Sequence, residues 1–299
     1  MSVLIVGSTA LDSIQTPAAR HSRLLGGSAS YAAVAASFFA PVRLVGAVGE
    51  DFPKPCLRLY RKHHIDLEGL QFLPGKTFHW SGRYEVNMNN RRTLATELGV
   101  FEAFTPRLPL SYQNSPFVLL ANIAPALQHH VLDQMRRPKL VVADTMDLWL
   151  NVALPDLLKL LRRVDAFVLN ETEARQLTQE DNLLRAAQKI HRLGPRFVIV
   201  KKGEHGSILS TRRGFFLAPA FPLARIVDPT GAGDSFVGAM VGYLAQAGGP
   251  IEANLPRAMI YGSIVASFCC EGFGLTATTR VTRAAIETRR RALEKLTRF

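Results

Sequence analysis

Short apolar runs rich in β-branched residues recur along the first two thirds of the chain. Each run is apolar on both faces instead of alternating, which predicts strands that are buried on both sides. Segments with a helical spacing of apolar residues lie between the runs. This alternation predicts parallel βαβ units, and so an α/β fold whose mostly parallel sheet is covered on both faces. The predicted strands are residues 3–6, 42–46, 117–120, 140–143, 166–169 and 197–200, and the predicted helices are residues 29–39, 154–163, 171–177, 182–193 and 235–247.

One region, from about residue 70 to residue 104, departs from this alternation. It is polar and aromatic, and Phe78, Trp80 and Tyr84 lie there among residues that favour strands. Asn89 and Asn90 are expected to form a turn. We expect antiparallel strands that stand apart from the main sheet. Their composition favours a lid over a binding site, with a decoration at the sheet edge as the alternative.

Composition limits the class of protein. The chain has 299 residues, of which 47% are hydrophobic, so it can form a large core in one or two domains. It has three cysteines and no CxxC pair, which is typical of a reduced, intracellular compartment. The N-terminus lacks the features of a signal peptide, and no uncharged apolar stretch reaches the ~18 residues of a membrane span. We therefore expect a soluble, cytoplasmic protein without a membrane partner.

The formal net charge is +12. A nucleic-acid-binding protein would concentrate such charge in one stripe with aromatic residues, whereas here it is scattered along the whole chain. A solvated basic surface that favours small anionic substrates is the simpler interpretation, and no nucleic-acid partner is expected. The histidines do not predict a metal site, because the pairs 63–64 and 129–130 are sequence neighbours whose side chains diverge.

The most informative segment is residues 226–238, in which an apolar start leads through a glycine-rich turn into an amphipathic helix. Gly231 and Gly233 allow the backbone to approach a ligand closely. The amides from Gly231 to Asp234 would point outward at the start of the helix, where unpaired donors and the helix dipole bind anions.

An acidic residue within that turn has a chemical use. The positive potential is expected to keep the Asp234 carboxylate ionised, so that it accepts a proton from an attacking hydroxyl group. The same amides would stabilise a phosphoryl group during transfer. An ordinary turn with an aspartate near a helix start is the alternative. The chain contains no GxxxxGK[ST] motif and no GxGxxG motif after a strand, so neither a P-loop nor a dinucleotide fold is predicted.

The sequence Asp-Pro-Thr-Gly-Ala-Gly-Asp at 228–234 closely resembles the second signature of the ribokinase-like (PfkB) family of carbohydrate and nucleoside kinases. Four further segments resemble family motifs in the family's order: the glycine pair 26–27, Val-Gly-Glu-Asp at 48–51, Asn-Glu-Thr-Glu at 170–173, and Lys-Gly-Glu-His-Gly at 202–206. The resemblance implies a ribokinase-like three-layer α/β/α core with a small β-strand lid. It implies a single domain, 1–299, with the lid contributed by about 12–24 and 70–104.

The resemblance also implies a role for each matched residue, with ATP and Mg²⁺ as cofactors and a monovalent cation as a further candidate. Asp234 would be the base, and Gly231, Ala232 and Gly233 would form the anion hole. Mg²⁺ would be held near Asn170 and Glu173 through water, although a helix N-cap with an acidic first turn is the alternative for these two. The implied nucleotide-binding residues are Asn170, Lys202, Gly203, Gly206 and Thr230, and the implied acceptor-binding residues are Asp12, Gly26, Gly27 and Tyr31.

Three departures from the family pattern concern substrate identity. Tyr31 stands where the family usually has Asn, and residues 144–149 read Asp-Thr-Met-Asp-Leu-Trp where Asp-Pro-Asn-x-Arg is common. Lys201 stands where Thr is usual. These changes leave phosphoryl transfer as the expected reaction and put ribose, fructose or adenosine in doubt as the acceptor.

The expected function is therefore transfer of the γ-phosphate of ATP to a hydroxyl group of a sugar or sugar derivative. A nucleoside acceptor is the alternative, since the aromatic residues of the lid could stack on a base. A sugar phosphate bound by Arg83, Arg91 or Arg92 is a third variant, and a binding protein that has lost activity is the contrasting class. Dimerisation through exposed lid strands is compatible with the pattern.

Overall fold

The computed structural model describes residues 1–88 and 90–298, and its larger sheet forms the centre of the molecule. Its strand order is β14-β13-β12-β11-β10-β9-β1-β4-β5, with β6 also paired to β4. The pairs from β5 to β12 are parallel, and β13 and β14 add antiparallel strands at one edge. These strands are β1 (Val3–Val6), β4 (Val42–Val48), β5 (Ile65–Asp66), β6 (Leu70–Phe72), β9 (Phe117–Leu120), β10 (Leu140–Asp144), β11 (Ala166–Asn170), β12 (Phe197–Lys201), β13 (Ser207–Thr211) and β14 (Gly214–Ala218).

Helices cover both faces of this sheet. They are α1 (Ser28–Ser37), α2 (Lys54–Lys62), α3 (Pro125–Gln134), α4 (Asp147–Val152), α5 (Leu154–Leu161), α6 (Glu171–Thr178), α7 (Leu183–His191), α8 (Ala232–Ala247), α9 (Ile251–Cys269) and α10 (Arg283–Leu296). Val3 and Ile5 pack in one core with α1, α8 and α9, whereas Leu4 and Val6 pack in a second core with α3, α5 and α7. The predicted α/β fold with a doubly covered sheet is confirmed, and all six predicted strands and five predicted helices are present.

A second sheet of four strands, which we call the small sheet, stands apart from the main one. It consists of β2 (Ala10–Gln15), β3 (Arg20–Gly26), β7 (Phe78–Tyr84) and β8 (Arg91–Glu97) in the order β3-β2-β7-β8. The prediction of separate strands in this part of the chain is confirmed, with two differences. The central pair β2–β7 is parallel, and β6 joins the main sheet because Leu70 is buried beside β4. Of the predicted turn, Asn89 lies outside the described residues.

The topology gathers polar residues at one edge of the main sheet. In parallel strands the carboxyl ends lie at the same edge, and those of β10, β11 and β12 carry Asp144, Asn170 and Lys201. The start of α8 reaches the same edge, because Gly233 lies beside Lys201. Among the described residues, no helix combines the length and the apolar content needed to cross a lipid bilayer.

Candidate active site

The turn before α8 is held by the buried carboxylate of Asp228. Its Oδ1 accepts a hydrogen bond from the amide of Thr230 at 2.9 Å, and its Oδ2 accepts one from the amide of Gly274 at 3.0 Å. The amide of Val227 donates to the carbonyl oxygen of Cys270 at 2.8 Å. The first aspartate of the motif is therefore a structural residue that fixes the turn against the end of α9.

The glycine at the start of α8 is required by its surroundings. Gly231 is the N-cap and has φ 75°, in the left-handed region that favours glycine. A Cβ at this position would overlap the ring of Tyr31. Tyr31, which is predicted to bind the acceptor, is therefore in direct contact with Gly231 of the predicted anion hole.

The amides in the first turn of α8 lack the carbonyl acceptor that a preceding helical turn would supply. The amide of Ala232 donates to the carbonyl oxygen of Pro229 at 3.2 Å, so it is already engaged. Across residues 1–88 and 90–298, the amides of Gly231 and Gly233 have no backbone acceptor. Of the four amides expected to point outward, that of Ala232 is thus engaged within the turn, and that of Asp234 donates to its own carboxylate. Anion binding by the amides of Gly231 and Gly233 stays a prediction.

Asp234 lies in the first turn of α8 and is half-buried. Burial and the negative charge of Asp144 together raise the pKa of its carboxyl group to about 6, against the opposing charges of Lys201 and Arg91. The expectation that positive potential keeps this carboxylate ionised stays a prediction, since Lys201 and Arg91 favour the ionised form and desolvation opposes it. At neutral pH the carboxylate is still mostly ionised and able to accept a proton.

The residues predicted to bind the acceptor lie around Asp12 on β2. This side chain is 4% exposed, and burial raises its pKa to about 7, assisted by the negative charges of Asp228 and Asp234. A hydrogen bond from the amide of Gly27 opposes that shift. A Cβ on Gly26 would overlap the Asp12 carboxylate, and Gly27 has φ 89°. The structure thus brings Asp12, Gly26 and Gly27 together near Asp234.

Tyr31 on α1 completes this set. It is 1% exposed, and its Oη has no hydrogen-bond partner in the described part of the chain. Burial and the nearby charge of Asp12 raise the pKa of its phenol well above the usual value. A neutral buried hydroxyl group without a partner is costly unless a ligand satisfies it.

The small sheet contacts the site through Tyr84 and Arg91, which the sequence pattern indicates only as alternatives for contacting a base or a sugar phosphate. Thr230 Oγ1 donates to Tyr84 Oη at 3.0 Å, which links β7 to the turn before α8. Arg91 on β8 lies close enough for its charge to lower the pKa of both Asp12 and Asp234, and it also lies over the ring of Trp80 at 5.4 Å. Of the three arginines considered for a sugar phosphate, Arg91 is the one beside Asp12.

A buried ion pair lies beneath the first turn of α8. Lys201 Nζ is 3.0 Å from both carboxylate oxygens of Asp144. The side chains are 19% and 4% exposed. Both positions depart from the family pattern, but their contact is not predictable from the sequence, because they are 57 residues apart.

Asn170 and Glu173 form a reciprocal capping box at the start of α6. Asn170 Oδ1 accepts from the amide of Glu173 at 2.8 Å, and Glu173 Oε2 accepts from the amide of Asn170 at 2.7 Å. The helix N-cap interpretation is therefore correct for these atoms. Burial raises the pKa of Glu173 to about 7, opposed by the charge of Lys201.

The same pair is the predicted site for Mg²⁺. The described residues contain no cluster of three or more His, Cys, Asp or Glu that could hold a metal directly. Glu173 keeps one carboxylate oxygen outside the cap, and its buried negative charge would be stabilised by a cation. These donors fit a hydrated Mg²⁺ that contacts protein through few ligands.

A cavity of about 460 Å³ adjoins the other side of the same turn. Its size is in the range of small-molecule sites. Lys201, Gly203 and Gly206 line it at the end of β12, and Ala232 and Gly233 line it at the start of α8. Residues 220–223, Phe236 and α9 supply further parts of the wall.

Three residues predicted to bind nucleotide, Asn170, Lys202 and Thr230, do not line this cavity. Asn170 caps α6 instead. Lys202 lies on a neighbouring cavity, and Thr230 is 8% exposed with its hydroxyl group bonded to Tyr84. Gly206 has φ 81°, and a Cβ there would overlap the carbonyl oxygen of Ala218. The glycines of the 202–206 segment are thus needed for the turn itself as well as for the cavity wall.

Comparison with known proteins identifies the class. Residues 3–281 match the pfkB family of carbohydrate kinases. The chain is 31% identical over 261 residues to a cytidine kinase of Thermococcus kodakarensis, an alignment that covers 84% of this chain and 91% of that protein. The chain therefore belongs to the PfkB family, and it is a kinase.

Solved structures confirm the fold. A nucleoside kinase of Methanocaldococcus jannaschii superposes with a TM-score of 0.78 at 20% identity, covering 97% of this chain and 98% of that one. A ribokinase of Arabidopsis thaliana, solved with ribose and ATP, superposes with a TM-score of 0.77 at 22% identity, covering 96% and 98%. The chain has the ribokinase-like fold, with a separate small sheet beside the three-layer core.

Proposed function

We propose that this kinase transfers the γ-phosphate of ATP to a hydroxyl group on the ribose of a nucleoside. One observation carries the proposal: the turn from Gly231 to Asp234 lines a cavity of about 460 Å³ through Ala232 and Gly233, and Asp234 is close enough to the buried carboxyl group of Asp12 for its charge to raise the pKa of Asp12. An acceptor on one side and a nucleotide on the other would meet at this turn.

In the proposed reaction, the acceptor hydroxyl group attacks the γ-phosphorus and its proton passes to the carboxylate of Asp234. The new O–P bond forms as the bond between the γ-phosphorus and the β-phosphate oxygen breaks, and ADP leaves with the electron pair. The amides of Gly231 and Gly233 would stabilise the phosphoryl oxygens. Mg²⁺, held through water by Asn170 and Glu173, would offset the charge of the β- and γ-phosphates.

The acceptor side supports a ribose ring. A buried carboxylate can accept hydrogen bonds from two neighbouring hydroxyl groups, and Asp12 forms no ion pair within the described chain. The unpartnered Oη of Tyr31 is a further group for a sugar hydroxyl. The small sheet, linked to the site through Tyr84, would act as the lid over this acceptor.

A nucleoside is favoured over a free sugar because the similarity to the cytidine kinase extends over 84% of the chain. A free pentose is the second candidate, since Asp12, Gly26 and Tyr31 would contact only the sugar part of a nucleoside. This choice reverses the order of the two acceptors expected from the sequence.

The proposal is tested by measuring ADP release with Mg·ATP and a panel of cytidine, uridine, adenosine, ribose, 2-deoxyribose, fructose and ribose 5-phosphate. We expect the highest kcat/KM for a nucleoside, with cytidine the first to be tried. A tenfold preference for a free sugar would replace the nucleoside assignment. Absence of acceptor-dependent ADP release with every compound would support the inactive binding protein instead.

A further inference from the structure

The buried pair Lys201–Asp144 joins the two halves of the candidate site. Lys201 ends β12 and Asp144 ends β10, and the intervening strand β11 ends at Asn170. The lysine side chain therefore extends across the carboxyl end of β11. This is the edge of the sheet to which the nucleotide cavity opens.

The ammonium group reaches the anion hole itself. A Cβ built on Gly233 would lie 3.3 Å from Lys201 Nζ, so the lysine lies directly against the first turn of α8. Lys201 also lines the cavity together with Ala232 and Gly233. A fixed positive charge is thus present where the terminal phosphate of a nucleotide would approach the amides of Gly231 and Gly233.

Three carboxylates surround this ammonium group. Besides its contact with Asp144, Lys201 is attracted by Glu173 and Asp234. A buried ion pair of this kind contributes little net stability, because desolvation of both charges offsets their attraction. Its position beside an anion site therefore points to a role in binding more than to a role in folding.

We propose that Lys201 contacts the phosphoryl group being transferred and that Asp144 is a positioning residue for Lys201. This rests on the proposed function and assigns one of its charge-stabilising groups. The lysine stays protonated throughout: it donates hydrogen bonds to the γ-phosphate oxygens, while the acceptor's proton goes to Asp234. Before nucleotide binds, Asp144 holds the ammonium group at the cavity wall.

Binding measurements test the contact without reference to the acceptor. The dissociation constants of ADP and of the ATP analogue with a β–γ imido bridge are measured for wild type and Lys201→Met. We expect the analogue to bind about tenfold more weakly to the variant, as for a lost charge-assisted hydrogen bond, and ADP to change less than about threefold. In turnover, kcat should fall about 10²-fold. Equal losses for both nucleotides, or unchanged analogue binding, would overturn the proposal.

Lys201→Met leaves the Asp144 carboxylate buried without its partner. A second comparison therefore uses variants in which the Asp144 charge is also removed. Asp144→Asn is compared with Lys201→Met/Asp144→Asn, in which neither charge remains. Asp144→Asn should keep the preference for the analogue over ADP, and its kcat should fall less than about tenfold. The double variant should lose that preference, and its kcat should fall about 10²-fold, as in Lys201→Met. Equal behaviour of the two variants would show that the lysine has no contact of its own with phosphate.

The matched control is Lys159→Met, which removes an exposed lysine paired with Asp156 at 3.1 Å on α5. It should leave both dissociation constants and kcat unchanged. Different results would overturn the proposed function and the proposed role of Lys201. Wild type without acceptor turnover would overturn the proposed function, whereas active wild type with an unaffected Lys201→Met variant would overturn only the role of Lys201.

Discussion

The pKa values of the acidic residues in this site depend more on burial than on residue type. Asp12 and Asp234 both have raised pKa values, to about 7 and about 6, and in both desolvation is the largest cause. Burial also raises the pKa of Asp228, but both of its oxygens are bonded to backbone amides, and this residue serves the turn. A carboxylate that titrates near neutral pH beside an anion site is suited to take up a proton during the reaction.

The first prediction concerns Asp234→Asn. The amide side chain cannot accept the acceptor's proton, so turnover should fall at least ~10²-fold, while ATP binding is largely retained. Steady-state kinetics and nucleotide titration check this. Asp133→Asn, on an exposed ion pair of α3, is the matched control and should leave both unchanged. Near-normal turnover in Asp234→Asn would rule out its role as base.

Among the elements, the start of α8 is the one whose geometry the site depends on. The helix begins with Gly231 in the left-handed region and ends before Gly248, which has a similar φ of 67°. The two glycines differ in their surroundings. A Cβ on Gly231 would overlap Tyr31, whereas a Cβ on Gly248 would meet no atom within 4 Å.

This difference gives a matched pair of substitutions. Gly248→Ala should cost about 1–3 kcal/mol of unfolding free energy, because φ 67° with ψ −179° is a conformation almost restricted to glycine. Gly231→Ala should cost about 1–2 kcal/mol for its left-handed conformation and about 1–3 kcal/mol more, because the methyl group must displace the Tyr31 ring. It should also lower kcat, since the amides of the proposed anion hole move. Denaturant unfolding and kinetics measure both, and a loss of no more than about 1 kcal/mol in Gly231→Ala would contradict the contact with Tyr31.

The sequence predicts the strands of this fold better than it predicts the contacts between them. The main strands were predictable because each is buried on both faces and therefore uniformly apolar, as in Val3–Val6. The small sheet was predictable as strands, but the parallel pairing of β2 with β7 depends on contacts between segments 60 residues and more apart. The glycines and Asp234 of the site follow from local sequence. The meeting of Lys201 with Asp144 does not, because no local pattern specifies a partner on another strand.

For the whole molecule, the raised carboxyl pKa values determine how stability depends on pH. In the unfolded chain Asp12 and Asp234 titrate near pH 4, and in the folded protein they titrate at about 7 and about 6. Between these values the folded state binds more protons, so the free energy of unfolding decreases as pH rises. Burial lowers the pKa of His63, so this residue binds fewer protons in the folded state and opposes the trend.

We therefore expect a higher midpoint of thermal unfolding at pH 5 than at pH 7.5, measured without nucleotide or Mg²⁺. Asp12→Asn removes the larger of the two shifts and should flatten the dependence. The opposite trend in wild type, or an unchanged slope in Asp12→Asn, would show that these carboxyl groups are not desolvated as the structure indicates. Differential scanning calorimetry in buffers of equal ionic strength provides the measurement.

The contact between Tyr31 and Gly231 has a consequence for redesign of this kinase. Position 31 is predicted to contact the acceptor, and its side chain packs against Gly231 of the proposed phosphate-binding turn. A smaller side chain there would leave the turn unsupported, and a larger one would push it away from Tyr31. Under the proposed function, acceptor preference and phosphoryl-transfer rate would therefore be coupled at this position, and libraries that vary residue 31 should vary the residues around Gly231 in the same clones.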